Sequence, residues 1–355
     1  MSNSTNNLPQ FLRNLWYLAT TSDEVKRNKT IAKQFLSETI LLGRDELGNV
    51  FAMQNVCPHR GVPLTEGTFD GNEIECCYHG WRFNTAGTCT RIPSLTTCQR
   101  LDISRIKVTS YPIEERNGLV WIFMQDIDNP IDHKTIPIPT DSFLQNKNQH
   151  YQLAVQRLFP CDIDHAAIGL MDPAHGPFVH HSWWWRAPKT IHEKQKPFGP
   201  FRYGFQMREH KPSKNSKAYK ILGGGDKTTQ ITFQLPGIRI EHIKFGDKNI
   251  FNITTLTPID AQTTQIRNFF YTPFPWFKAL APVLKRFAYN FLDQDLRIIE
   301  KQKLGLQYDP KLMLINDADM QAKWYFRLKY EFYMAHYEQR AFVNPVEETI
   351  LKWCS

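Results

Sequence analysis

At 355 residues, with 41% hydrophobic and 22% charged residues, the chain is long enough for two domains with separate cores and too apolar for a disordered polypeptide. Its net charge of +8 comes from basic residues spread along the sequence, which excludes a nucleic-acid-binding tract but suits attraction of an acidic redox partner. Seven cysteines behind a polar N-terminus (MSNSTNNLPQ), with no basic or apolar leader, predict a reducing, cytoplasmic setting in which thiols bind metal rather than form disulfides.

The first third reads as short strands broken by turns. "TILLGRDELGNVFAMQNV" is two apolar runs around a turn at Asp45–Gly48, a hairpin pattern. A further strand is predicted over Gly118–Asp126. Residues 127–142, rich in Pro and Asp, read as a linker. Beyond it, "KTTQITFQLPGIRIEHIKF" and "NIFNITTLTPI" alternate as antiparallel strands, and "PVLKRFAYNFLDQDLRIIEKQKLG" reads as a helix ending at Gly305. The most apolar stretch, Phe269–Leu284, contains three prolines and Lys278 and is too short to span a bilayer. The division predicted is a small β domain over 1–130 and a larger α+β domain over 131–355. The 24 Phe and nine Trp fit a large core, or an apolar pocket.

Two loops carry the first metal-site pattern. Cys57 and His59 lie in "NVCPHRGVPL", Cys76 and His79 in "IECCYHGWRF", giving C-x-H, sixteen residues, then C-x-x-H. Two thiolates on one iron and two imidazoles on another make a Rieske [2Fe-2S] centre, whose neutral His ligands raise its reduction potential. A Cys₂His₂ set also suits structural zinc, but zinc fingers pair Cys with Cys and His with His, whereas each loop here supplies one of each. Cys76 and Cys77 both precede His79. Cys76 is taken as the ligand because C-x-x-H-G-W resembles the Rieske form, which leaves Cys77 to pack as a small hydrophobe. Cys89, Cys98, Cys161 and Cys354 have no partner at useful spacing and are expected to be unliganded thiols.

The second pattern lies in "IDHAAIGLMDPAHGPFVHHSWWWR", with Asp172, His175, His180 and His181. Asp172 before Pro173 reads as a helix N-cap, with His175 three residues on along one helix face. Gly176–Pro177 would break that helix and let His180 turn to the same metal. A carboxylate completing a facial triad for iron(II) is found near residue 290. There Leu284, Phe287, Ala288, Phe291, Leu292, Ile298 and Ile299 form a helical stripe with one vacancy, filled by Asp295. A carboxylate on such a stripe needs a metal, an ion pair or a hydrogen bond. Asp293 falls on another face and is expected to be solvated. His165, His192 and His242 read as surface or satisfied residues, Gly223–Gly225 as a turn, and Trp183–Trp185 as packing near the second site.

Taken together, the two sites resemble the Rieske non-haem iron oxygenase α-subunit family, and "LWYLATTSDEV" is similar to that family's opening strand. The resemblance implies an all-β Rieske domain followed by a helix-grip (START-like) catalytic domain with an antiparallel sheet and helices. It implies a [2Fe-2S] cluster on Cys57, His59, Cys76 and His79, and a mononuclear Fe(II) on His175, His180 and Asp295. Asp172 would link a Rieske histidine to an iron-ligand histidine across a subunit boundary, within a head-to-tail homotrimer. Electrons would come from NAD(P)H through a separate ferredoxin/flavin reductase, and O2 would be used to hydroxylate or oxidatively demethylate a small hydrophobic or aromatic substrate. "MDPAHGPFVHH" looks like the pheophorbide and chlorophyllide oxygenase branch and its bacterial relatives, and the one-chain size like vanillate-type O-demethylases. Ile168 and Gly169 stand where many members carry Asn or Glu, and Cys354 stands alone where the plant branch has C-x-x-C. These departures point to a bacterial relative rather than to chlorophyll catabolism. Two other readings remain open on the sequence: a Rieske electron carrier without oxygenase activity, and a zinc-stabilised binding protein.

Overall fold

The computed structural model describes residues 8–146, 148–180, 191–211 and 227–355. His181, Trp183–Trp185 and Gly223–Gly225, singled out above, lie outside the described residues. The chain divides into two units: Arg13–Ile138 with Asn146–Gln149, and Pro139–Gln145 with His150–Ser355.

The first unit is built from three small antiparallel sheets. β1 (Leu15–Thr21) pairs with β10 (Leu119–Met124), which pairs with β9 (Ile113–Arg116). β10, "LVWIFM", is buried at every position, so its unbroken apolar run fits a strand covered on both faces. A second sheet joins β2 (Lys29–Phe35), β3 (Glu38–Arg44) and β4 (Val50–Gln54). The β3–β4 turn falls where the hairpin pattern puts it, with Gly48 at φ +96°, a left-handed geometry that glycine adopts without Cβ strain. The third sheet joins the short strands β5 (Thr68–Phe69), β6 (Glu73–Glu75), β7 (Arg82–Asn84) and β8 (Cys89–Arg91), and the metal-site loops flank it.

The stretch read as a linker is not a free tether. Its Ile136 and Ile138 are buried, and the Trp16 indole N–H donates to the Ile136 carbonyl at 2.8 Å. One 3-10 turn, His133–Thr135, is capped by the Asp132 side chain, which accepts from the Lys134 N–H. The isoleucines between the prolines bury enough apolar surface to hold the backbone down.

The second unit centres on one eight-stranded antiparallel sheet. Its strands are β11 (Leu153–Phe159), β12 (Glu193–Phe201), β13 (Gly204–His210), β14 (Lys227–Gln234), β15 (Ile238–Phe245), β16 (Lys248–Asp260), β17 (Thr263–Tyr271) and β18 (Thr349–Cys354). Their order is β11-β17-β16-β15-β14-β13-β12-β18. The helices are α1 (Ile163–Met171), α2 (Gly176–Val179), α3 (Pro275–Ala279), α4 (Ala281–Leu306) and α5 (Met320–Tyr337). An antiparallel sheet with helices, behind an all-β unit, is the fold class expected. α4 runs through Gly305 to Leu306, one residue beyond the expected stop.

Two polar contacts set the helices. Lys329 of α5, 3% exposed, places its ammonium 2.7 and 2.8 Å from the Asp164 carboxylate of α1, which also accepts from the Tyr325 hydroxyl at 2.7 Å. Arg157 of β11 grips the Asp293 carboxylate of α4 at 2.5 and 3.1 Å and lies over the Tyr289 ring at 4.1 Å. Asp293 is therefore not simply solvated: the two-pronged guanidinium contact pins α4 to the sheet edge, with planar geometry that only arginine supplies. No helix among the described residues is long and apolar enough to cross a membrane.

Candidate metal centres

The two cysteine–histidine loops are the same structural device used twice. The Cys57 N–H donates to the Val62 carbonyl (2.9 Å) and the Gly61 N–H to the Cys57 carbonyl (2.9 Å). In the other loop the Cys76 N–H donates to Trp81 (2.9 Å) and Gly80 to Cys76 (3.0 Å). Gly61 and Gly80 both take positive φ, +76° and +66°. The repeated spacing Cys-x-x-x-Gly is thus a turn signature as well as a ligand signature, a signal that donor spacing alone passes over. Asn55, buried, staples the base of the first loop by exchanging two 2.9 Å hydrogen bonds with Thr65.

The turns bring like donors together. The Cys57 and Cys76 side chains share one buried cluster, at 2% and 3% exposure, with Leu64, Ile74, Phe83 and Val108. Burial pushes the Cys57 thiol up to about 11, so without a cation that thiol stays protonated. The His59 and His79 rings face each other with centroids 4.4 Å apart; Trp81 stacks on His59 at 4.5 Å and 4°, and Tyr78 lies against His79 at 3.9 Å. His59 is half-buried and His79 exposed. Sulfur donors therefore point inward and imidazoles outward. Cys77 is exposed, so the expectation that it packs as a small hydrophobe is corrected: the turn that buries Cys76 directs the next side chain outward.

These four donors do not converge on one point. Among the described residues, the one set of three or more His, Cys, Asp or Glu side chains with ligand atoms within 4.8 Å of each other is His175, His180 and Asp295. Four ligands of a tetrahedral zinc, each at about 2.0–2.3 Å, would lie closer than that. A Cys pair and a His pair suit a two-iron cluster, with one pair on each iron.

The second centre is assembled differently from the helical reading. Pro173 holds Asp172 in extended backbone, φ −62° and ψ 116°, where it ends α1, and it starts no helix because residues 173–175 are bends and the next helix opens only at Gly176. Its Oδ1 accepts from the Ala174 N–H at 2.7 Å, an Asx turn. His175 and Asp172 therefore share a turn, not a helix face. Gly176–Pro177 opens α2 rather than breaking a helix, because proline at a first-turn position loses no hydrogen bond. His175 precedes that single helical turn and His180 follows it. One turn reverses the chain enough to aim both rings at the same place.

Asp295 lies between the buried Leu292 and Ile299 on one face of α4, but with 28% side-chain exposure. The apolar stripe is less buried than its pattern predicts: Phe287 and Ile298 are 47% and 43% exposed, and only Leu292 and Ile299 are buried. Three donor atoms converge in front of Asp295. His175 Nε2 and His180 Nε2 are 3.1 Å apart, and Asp295 Oδ1 is 3.1 Å from His180 Nε2 and 3.8 Å from His175 Nε2. Ligands at right angles around one octahedral ion at about 2.1 Å would stand about 3 Å apart, so the set fits one face of such an ion.

The outer contacts set the protonation. His175 Nδ1 is 2.7 Å from the Asp172 backbone carbonyl, which can only accept, so the ring proton sits on Nδ1 and the lone pair on Nε2. The Asp172 carboxylate is farther, 3.7 Å from the same nitrogen. Burial lowers the His175 pKa, opposed by Asp295 and Asp172, which keeps the ring in the neutral form that a metal needs. His180, 4% exposed, has its Nδ1 3.0 Å from Gln294 Oε1. Elsewhere, His165 pairs with Asp162 at 2.7 Å and His242 with Asn249 at 2.8 Å, as expected of satisfied residues. Cys89 and Cys161 are buried free thiols, and burial pushes Cys161 up to about 12.

Comparison with known proteins matches residues 15–112 to the Rieske [2Fe-2S] domain and residues 169–325 to the vanillate O-demethylase oxygenase C-terminal domain. The toluene-4-sulfonate monooxygenase system iron-sulfur subunit TsaM1 of Comamonas testosteroni is 40% identical over 116 residues, 33% of this chain and 32% of that protein. Methylxanthine N1-demethylase NdmA of Pseudomonas putida is 26% identical over 271 residues, 72% of each chain. The first match thus spans about a third of its relative's own length. The crystal structure of dicamba monooxygenase bound to dicamba superposes with a TM-score of 0.72 at 20% identity, over 93% of this chain and 98% of that one, a likeness of fold.

Proposed function

We propose, for a chain that pairs a Rieske [2Fe-2S] domain with a vanillate O-demethylase oxygenase C-terminal domain and so belongs to the Rieske non-haem iron oxygenases, that it is the terminal oxygenase component of a multi-component system. In this reading Cys57, Cys76, His59 and His79 hold the cluster, and His175, His180 and Asp295 hold one Fe(II). One observation carries it: the two Nε2 atoms and a carboxylate oxygen meet at 3.1–3.8 Å, and with both ring protons on Nδ1 the three converging lone pairs are matched by a bound cation. The cluster would supply single electrons, and the ferrous ion, with positions left open by three protein ligands, would supply oxygen activation.

The protein's own groups do the rest. The buried thiols hold the inner edge of the first site in an apolar pocket, and the outward His59 and His79 present an accessible edge for electron entry and exit. Asp172 accepts from His175 through its carbonyl and holds its carboxylate 3.7 Å from the same ring nitrogen, exposed enough to be reached from outside the turn. We assign it the link between the two sites, from one subunit to the next in a homotrimer. Asp172→Asn preserves the Asx turn to Ala174, since an amide oxygen accepts as well. It is expected to retain both metals while turnover falls about 10–100-fold, the usual scale for loss of an outer partner. Full turnover with both metals bound would remove Asp172 from this role.

The electron donor in this proposal is a ferredoxin/flavin reductase fed by NAD(P)H, drawn to the basic chain in a cytoplasmic, reducing setting that keeps the thiols available. The substrate is a small hydrophobic or aromatic molecule, hydroxylated or demethylated with O2. The names of the relatives, toluene-4-sulfonate monooxygenase and methylxanthine demethylase, support that class. Metal and sulfide analysis, with oxygen uptake driven by a surrogate reductase on sulfonated, methoxylated and N-methylated aromatics, tests it. About three irons and two acid-labile sulfides per chain, with product-coupled uptake, are expected. Two irons without uptake would mark an electron carrier, and zinc would refute both.

A further inference from the structure

One face of α4 handles His180 completely. Phe291, Gln294 and Asp295 stand at positions i, i+3 and i+4, which a helix brings to the same side. The Phe291 ring stacks on the His180 imidazole with centroids 3.7 Å apart and planes 14° apart. Asp295 Oδ1 faces Nε2 at 3.1 Å, and Gln294 Oε1 faces Nδ1 at 3.0 Å. His180 is 4% exposed, so water is not freely available to replace either contact.

We propose that Gln294 is a positioning residue that fixes the tautomer of His180, and that α4 thereby supplies both the carboxylate ligand of the iron site and the outer support of the histidine ligand beside it. The inference rests on the reading of His180 as an iron ligand. An amide oxygen only accepts, so with Oε1 toward the ring the proton is held on Nδ1 and the lone pair is left on Nε2. The flipped amide would donate to Nδ1, put the proton on Nε2 and close the ring to metal. The amide orientation is therefore set by ligation, and ligation by the amide. His175 needs no such side chain because a backbone carbonyl accepts its Nδ1–H. The two histidines are thus tautomer-locked by unlike devices, and only that of His180 can be altered by mutation of a side chain.

The test compares Gln294→Leu, Gln294→Glu and His180→Ala in the full chain with the cluster loaded, using ferrous-iron titration and the electron paramagnetic resonance spectrum of the nitric oxide adduct. Gln294→Leu, similar in size without an acceptor, is expected to weaken ferrous-iron binding about 10–100-fold and to broaden the adduct spectrum into several species. Gln294→Glu restores an acceptor and is expected to return affinity to within a few-fold of the parent. Cluster absorption unchanged in all three reports an intact first unit, and an unchanged circular dichroism spectrum and unfolding temperature report an intact second unit. If His180→Ala loses iron but Gln294→Leu binds it as the parent does with an unchanged spectrum, the positioning role is wrong and the ligand reading stands. If Gln294→Glu is as weak as Gln294→Leu, the contact is steric and the tautomer argument fails. If His180→Ala binds iron normally, the ligand reading itself is wrong.

Discussion

Asp295→Ala is expected to abolish product-coupled oxygen uptake while leaving the cluster spectrum untouched. The three donors beside α4 leave no spare group: among the described residues no fourth His, Cys, Asp or Glu joins them within 4.8 Å. Two neutral imidazoles alone leave a ferrous ion with a net +2 charge in a half-buried site, and the carboxylate both neutralises part of that charge and completes the face. Loss of even an outer partner costs about 10–100-fold, so loss of the ligand is expected to weaken ferrous binding more than about 100-fold. The iron-free variant carries a second signature. Removing one of three converging electron-rich groups relieves repulsion, so the apo form of Asp295→Ala should unfold at a temperature no lower than apo parent protein. Calorimetry on both apo forms checks this. A clear drop in unfolding temperature would mean that Asp295 serves packing instead. Arg157 and Asp293, two residues away, are left intact and should keep α4 seated.

Cys76→Ser should bleach the visible absorption of the cluster and silence the protein, whereas Cys77→Ser should leave both unchanged. The two residues are neighbours in sequence and opposites in environment. Cys76 begins the tight turn closed by Gly80, is 3% exposed and shares a buried cluster with Cys57; Cys77 points to solvent. A serine at position 76 is a poor ligand for cluster iron, and it leaves a hydroxyl among Leu64, Ile74 and Phe83, where an unpaired polar group costs about 1–3 kcal/mol. Because the cluster ties two loops together, its loss should also lower the stability of the first unit. Ultraviolet–visible spectra and iron–sulfide counts decide the matter. A bleached Cys77→Ser with an intact Cys76→Ser would invert the assignment.

Both metal-site patterns are legible in the amino-acid sequence. The cluster pattern is visible because each donor pair lies within four residues, a local turn that sequence spacing describes well. His175 and His180 are visible for the same reason, and Asp295 because a polar residue interrupts an apolar helical period. The strands of the second unit are legible from alternation, since each packs one face on a core. Local pattern misleads where proline chemistry competes with periodicity. Asp172 looks like a helix start, but the chain bends over residues 173–175 and the next helix opens only at Gly176, so Asp172 is a helix end.

Tertiary contacts decide what no spacing contains. The acceptor on His175 Nδ1 is a backbone carbonyl three residues back in the same turn, but that on His180 Nδ1 is an amide 114 positions away, which depends on how α4 and the α1–α2 turn meet. The partner of Asp293 is Arg157, 136 positions distant, so a residue expected to be solvated is the clamp of the helix carrying Asp295. Sequence by itself determined which side chains could ligate, because donor chemistry belongs to the residue. Only the folded chain decided which donor atoms share a point, which proton sits on which nitrogen and which cysteine faces inward, because those depend on burial and on partners brought together by long-range packing.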